Sequence, residues 1–302
     1  MKKLLVLFPL FLFFIGCVES ELYVDGENVG SVGGDGDTPT HEIILKQFDY
    51  VTPIYSYQYL FNPQGKITNV NLSMSLLGET VTSNGVVSYQ NNLISTLTPG
   101  NFSAQDNLIY NDQNQLIEIN TGTTPETKMV FTHTGTTITG VRTLDGVLDN
   151  TVTFTKDNAG YITGYSFTDA SNNKQYSLSL NVANNLLSSS TFKENTTVLQ
   201  QMNFTYDNKI NPLFLQSIDY FNIMVMMDAY GFESDFIALP LDTYAMYRSS
   251  NNITQLTASG SGSAYIEGTI NYVYTYNEAD FPVSAVLNIE GEEPGVVHYT
   301  YY

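Results

Sequence analysis

The chain has no tryptophan, one cysteine, three histidines and 11 basic residues against 30 acidic ones in 302 residues. Each scarcity removes a class of chemistry. A single thiol cannot close an internal disulfide or build a multi-sulfur metal site. An acid excess of 19 charges repels phosphate backbones, so no nucleic-acid partner is expected. The same charge disfavours adsorption to anionic membrane surfaces through the protein itself. No apolar run reaches the ~20 residues a membrane-spanning helix needs. His41 falls in a polar linker, His133 in a Thr-Gly turn and His298 out of phase with Val297 and Tyr299. No two are close and no His-Glu-x-x-His occurs, so they read as surface histidines, with no metal and no cofactor expected. A Gly-x-Ser-x-Gly elbow is missing, and Gly260-Ser261-Gly262-Ser263 reads as a flexible turn.

What is present begins with Lys2-Lys3, an apolar run from Leu4 to Ile15, then Gly16-Cys17. A positive start, a short apolar stretch and a small residue make a secretory leader. The cysteine directly after Gly16 resembles the lipobox of bacterial lipoproteins, which implies that Cys17 becomes the lipidated first residue. Phe14 and Ile15 depart from the commoner residues there; the alternative is a plain leader with an incidental cysteine. Cleavage would remove two positive charges and take the formal charge from −19 to −21. With Cys17 lipidated, no thiol remains to serve as a nucleophile.

Residues 18–40 hold five glycines and six acids, with little to bury. This is the composition of a flexible, self-repelling spacer. Val18-Glu19-Ser20-Glu21 loosely resembles an acidic signal for display on the outer face of an outer membrane; a merely solvated linker is the other reading. The expected organisation is a leader over 1–16, a lipidated tether over 17–40 and one domain over 41–302.

From about residue 42 apolar and polar residues alternate over short runs, the period of half-buried strands. Tyr55, Tyr57, Tyr59 and Phe61 share a face, as do Val70, Leu72, Met74 and Leu76. Tyr272, Tyr274 and Tyr276 lead into Asn277-Glu278-Ala279-Asp280, and a second strand leaves it, the pattern of a hairpin with a four-residue turn. This unit recurs: an apolar strand ending in Tyr or Phe, then Asn, Asp, Thr or Gln, a polar turn, and a strand starting with Ile or Leu. Between Tyr89, Tyr110, Phe131 and Phe154 the spacing is 21, 21 and 23 residues. A fixed period of that size predicts a stacked array of hairpins.

The units resemble the tyrosine-aspartate repeats of Rhs-type and teneurin-type shells. They more closely resemble tethered Gram-negative lipoproteins of unknown function with a porin-like domain. Tyr206-Asp207-Asn208-Lys209-Ile210-Asn211-Pro212-Leu213 matches that group's Tyr-Asp-x-Lys-x-Asn-Pro element, and Ser249-Ser250-Asn251-Asn252 its Ser-x-Asn-Asn return. Tyr274-Thr275-Tyr276-Asn277-Glu278 with Phe281-Pro282-Val283 looks like its last hairpin, and Tyr299-Thr300-Tyr301 its closing strand. The resemblance implies an all-β fold, a long antiparallel meander curling toward a barrel, and carries no established activity. A one-sided apolar sheet must also cover that face, and bending on itself does so while removing exposed edges. Closure as a membrane-spanning barrel is the alternative. It needs ~10-residue strands with an outward apolar band, and many of these runs are shorter and rich in Thr, Ser and Asn.

The pattern breaks between residues 211 and 247. Tyr220, Ile223, Met224, Met227 and Tyr230 fall at helical spacing, predicting a short helical or irregular insertion that closes one end of the curled sheet. Tyr220, Met224, Met227 and Tyr230 are the candidate contacts for an apolar or glycan ligand; packing as core is the other reading. Glu292-Glu293, or Asp235 with Asp242, could only serve glycoside hydrolysis if they converge in space, and Asp157-Asn158-Ala159-Gly160 reads as turn chemistry rather than a calcium loop. The expectation is therefore a monomeric lipoprotein of the outer membrane, periplasmic or surface-exposed, touching the membrane through its lipid anchor only. It is read as a non-enzymatic binding or surface-interaction module, with an envelope structural protein or a carbohydrate-active hydrolase as alternatives.

Overall fold

In the computed structural model the described residues are 44–52, 55–76, 79–98, 105–121, 126–169, 173–214, 218–230, 241–260 and 267–302. The expected leader, Cys17, the tether and His41 lie outside them. The first half of the barrel runs β1 (Leu45–Val51), β2 (Tyr55–Phe61), β3 (Ile67–Leu76), β4 (Glu79–Gln90), β5 (Leu93–Thr98), β6 (Asp106–Tyr110), β7 (Leu116–Thr121), β8 (Thr127–Thr134) and β9 (Thr137–Leu144). It continues through β10 (Val147–Lys156), β11 (Ile162–Asp169), β12 (Lys174–Ala183), β13 (Leu186–Glu194) and β14 (Thr197–Ile210). Two helices follow, α1 (Ile218–Tyr230) and α2 (Leu241–Arg248). The wall resumes with β15 (Asn251–Gly260), β16 (Gly268–Tyr276), β17 (Pro282–Ile289) and β18 (Gly295–Tyr301).

Every strand pairs antiparallel with its neighbour in sequence, and β1 pairs with β18. The meander is therefore not merely curled but closed, an 18-stranded up-and-down barrel with no free edge. Closure runs through Leu45↔Tyr301 to Val51↔Val296. The Tyr302 N–H adds a bond to the Ile44 carbonyl at 3.1 Å.

One five-residue turn explains the recurring unit. In Asn62-to-Lys66, Asn111-to-Gln115, Asp157-to-Tyr161 and Asn277-to-Phe281 the first side chain's Oδ1 accepts from the N–H groups two and four residues on, at 2.9–3.1 Å. The fourth position sits at positive φ: Gly65, Asn114, Gly160 and Asp280. Short Asx side chains make this turn because they bond their own backbone and tolerate the left-handed region. Asp157 Oδ1 is thus spent on Ala159 and Tyr161, which is turn chemistry. Alternate hairpins use two-residue turns instead, Asn91-Asn92 and Asn184-Asn185 both at positive φ, as the twist of a tight hairpin demands.

The wall is apolar inside and polar outside. Its inner face carries a continuous ring ladder, Phe131–Phe154–Tyr165–Phe167–Tyr176–Phe192, with centroids 5.3–6.4 Å apart. Gly140 on β9 lies between the first two rings; a Cβ there would come within 3.1 Å of Met129 Sδ and the Phe131 ring. The outer face exposes Thr151, Thr155, Gln175, Ser179, Asn181, Asn203, Thr205, Asn271 and Thr275. Apolar side chains interrupt it. Val51, Val296, Val286 and Val273 form a register-matched row across four strands, Val130 faces Val141 on β8 and β9, and Ile109, Leu144, Leu148 and Ile210 are also exposed.

Eighteen strands at ~4.8 Å spacing and ~40° tilt would make a circle about 36 Å across, wide enough for a water channel. The two helices sit inside the wall. α1 packs on β5 on one side and β11 on the other, and α2 packs on β13 and β15, while Tyr247 of α2 meets Tyr59 of β2 at 6.3 Å.

Candidate functional site in the barrel lumen

The plug enters through one of the repeat's own turns. At β14, Asp207 Oδ1 accepts from the Lys209 N–H two residues on, as in the other copies. The next bond comes not from the same loop but from the Asn252 N–H at 3.1 Å, after the plug has returned. The Tyr-Asp-x-Lys-x-Asn-Pro element is the same turn opened to admit 41 residues, Asn252 standing where residue 211 would be (252 − 211 = 41). Its remaining side chains close the gap. Asn211 Nδ2 donates to the carbonyls of Met246 and Ser249, and its Oδ1 accepts from the Leu213 N–H. The Ser249 hydroxyl donates to Tyr206 and accepts from the Leu187 N–H, and Tyr206 donates to the Leu187 carbonyl. Tyr276 donates to Asp207 and Lys209 pairs with Asp280 at 2.7 Å.

Two further ties hold the plug to the β10–β11 turn. Asn222 of α1 donates to the Gly160 carbonyl at 3.0 Å and accepts from the Ile162 N–H at 2.9 Å. Arg248 of α2 bonds Asp157 and stacks over the Tyr161 ring at 4.1 Å. Its Nε and Nη1 have no hydrogen-bond partner, so the ring face takes their place. Deeper in the lumen, the Tyr165 hydroxyl of β11 donates to Asp228 Oδ2 at 2.9 Å. Tyr244 of α2 faces the same carboxyl. Burial pushes the Asp228 carboxyl up to about 7, with the two tyrosine hydroxyls pulling the other way. Burial also raises both tyrosines, and the neighbouring carboxyl raises them further.

The helix expected near Tyr220 is there, and burial extends beyond its expected stripe. Phe221, Val225 and Met226, off the stripe, are all buried, whereas Met224, on it, is only partly so. A helix apolar on every side is enclosed on every side. Tyr220 packs on Tyr247 at 5.3 Å and Met227 is buried, while the Tyr230 side chain lies outside the described residues. Its polar ties, Asn222 to Gly160 and Ile162, Ser249 to Leu187 and Arg248 to Asp157, all lie beside the hairpin turns of one rim, so the plug sits at that end of the barrel.

Other candidates separate. His133 is not a free surface group, since its Nε2 meets the Leu116 carbonyl at 2.7 Å; His298 is exposed. Among the described residues no three His, Cys, Asp or Glu side chains group as metal ligands. Glu292 and Glu293 are exposed in the β17–β18 turn; Asp235 and the Asp242 side chain lie outside the described residues. A second buried acid, Asp106 on β6, is raised to about 7 by burial alone, so it and Asp228 do not act on each other. Sequence reasoning missed both acids, and Arg142 with Asp149, an inward ion pair at the β10 bulge.

Fold and site together define a closed antiparallel β-barrel with a helical lumen plug. No known protein family and no curated protein matches the sequence. Among solved structures the chain is similar to a porin-like protein from Bacteroides uniformis ATCC 8492, at 16% identity and a TM-score of 0.43, over 87% of this chain and 98% of that one.

Proposed function

We propose that this is a tethered envelope lipoprotein whose barrel stands in water as a non-enzymatic binding or surface-interaction module. The observation that carries the reading is the partition of the wall. Its Thr, Ser, Asn and Gln face outward and its Tyr, Phe, Leu, Ile and Met inward. A barrel spanning lipid has the reverse. A water-exposed barrel at a membrane needs another anchor, and lipidation of Cys17 with the 18–40 spacer supplies one. Both the chain entering β1 and the end of β18 lie at the plug's base, so the opposite rim would face away from the membrane. An apolar or glycan ligand reaching Tyr220 and Met227, of the candidate contacts Tyr220, Met224, Met227 and Tyr230, would have to part plug from wall.

The test is intact mass and protease shaving of the protein on its own cells, beside a Cys17→Ala variant. Acyl mass on the wild type, release of the variant and shaving from intact cells support a surface module. Absence of acyl mass overturns the anchor. Acylation with full protection from protease favours a periplasmic structural protein, a reading that the tightly packed plug also supports.

A further inference from the structure

We propose that Asp228 is a protonation latch: neutral, it seats the inner half of the plug against the wall, and ionised, it lets α1 part from β11 while the base of the plug stays tied.

The geometry divides the plug in two. Its base is held by Asn211, Ser249 and Tyr206, by Asn222 on the β10–β11 turn, and by Arg248 on Asp157. Among the described residues the inner half of α1 is tied to the wall by Tyr165 on Asp228. The Asp228 side chain is enclosed, its Oδ1 without a hydrogen-bond partner. The groups that face it are Tyr165 from β11 and Tyr244 from α2. β5, on the other side of α1, has no ionisable residue. Arg248, the one basic residue of α2, is engaged with Asp157 at the base. Glu233 and Asp235 follow α1 in sequence and lie outside the described residues.

A carboxylate in this place would have two hydroxyl donors and no cation, and charge without a counter-ion in a dry site is poorly tolerated. Burial accordingly favours the protonated acid. When α1 moves away and water reaches Asp228, the acid returns to its ordinary range. Opening is therefore coupled to loss of one proton between the open and closed values, and is promoted by rising pH.

The test is amide hydrogen exchange of the full chain between pH 5 and 8, corrected for intrinsic exchange. Expected are α1 amides less protected than β11 amides, with α1 protection falling by about tenfold per pH unit from 5 and levelling off near 7. Asp228→Asn removes that slope at α1. Should Asp228→Asn fail to fold, Tyr165→Phe serves instead: it takes a donor from the carboxylate and moves the levelling-off to higher pH. Equal protection of α1 and β11 at every pH overturns the latch, as does a slope kept in Asp228→Asn or a levelling-off that does not move in Tyr165→Phe.

Discussion

The guanidinium of Arg248 meets the carboxylate of Asp157 at 2.7 Å across 91 positions of sequence, and the same arginine lies on Tyr161, the last residue of Asp157's own turn. One side chain thus clamps the end of α2 to a hairpin turn of the wall. Replacing it with alanine would strand a half-buried carboxylate and uncover a ring, at an expected cost of about 2–3 kcal/mol. Arg248→Lys should recover less than half, because an ammonium lacks the flat face that stacks. Denaturant midpoints of the two variants measure both numbers.

Two glycines on the wall should differ sharply. At Gly164 an added Cβ would stand 2.3 Å from the Leu178 carbonyl oxygen, whereas at Gly146 it would meet nothing within 4 Å. Gly164→Ala must push β11 off β12 and should cost several kcal/mol. Gly146→Ala pays only for its φ of +77°, about 1 kcal/mol. Comparable melting temperatures for the pair would contradict this packing.

The five-residue turns predict a repeated, modest effect. Asn111→Ala removes the acceptor for the Gln113 and Gln115 N–H groups and should cost about 1 kcal/mol. Asn277→Ala should cost about the same. Their double variant should add, since the sites share no partner. Urea unfolding of the three proteins checks it.

Stability should decline as pH rises from about 4 to 7. Asp106 and Asp228 both hold their proton more tightly in the folded chain than at the ordinary value of 3.8. Their contribution is full below that value and is lost as pH climbs through about 7. Each can weaken the fold by up to about 4 kcal/mol over this span. Asp228→Asn should flatten part of the curve and stabilise the protein at pH 8. A wild type more stable at pH 8 than at pH 5 would refute both assignments.

Much of this was readable in the sequence, and the exceptions have a common cause. Alternation marked both strands of the hairpins around Tyr59, Tyr110, Phe154 and Tyr276, because a one-sided sheet imposes period 2 locally. Asn62, Asn111, Asp157 and Asn277 announced their turns for the same reason. Closure was not readable as such, since Leu45↔Tyr301 pairs residues at opposite ends of the domain with no local signal. The plug's helix was visible at Tyr220 and Met227, but Phe221, Val225 and Met226 between them carried the further message that no side faces water. Asp228 finds Tyr165 63 residues away, and only an acid ending a long apolar run hinted at it.

The seam between β1 and β18 also shapes how the domain comes into being. Every other wall contact except the β14–β15 pair joins strands separated by a short connection, so hairpins can form as the chain emerges. The ring stays an open, sticky ribbon until its last strand arrives, with β1 offering an unsatisfied margin throughout. The slow step in maturation is then one long-range closure, and the interval before it is when an escort that shields strand margins matters most.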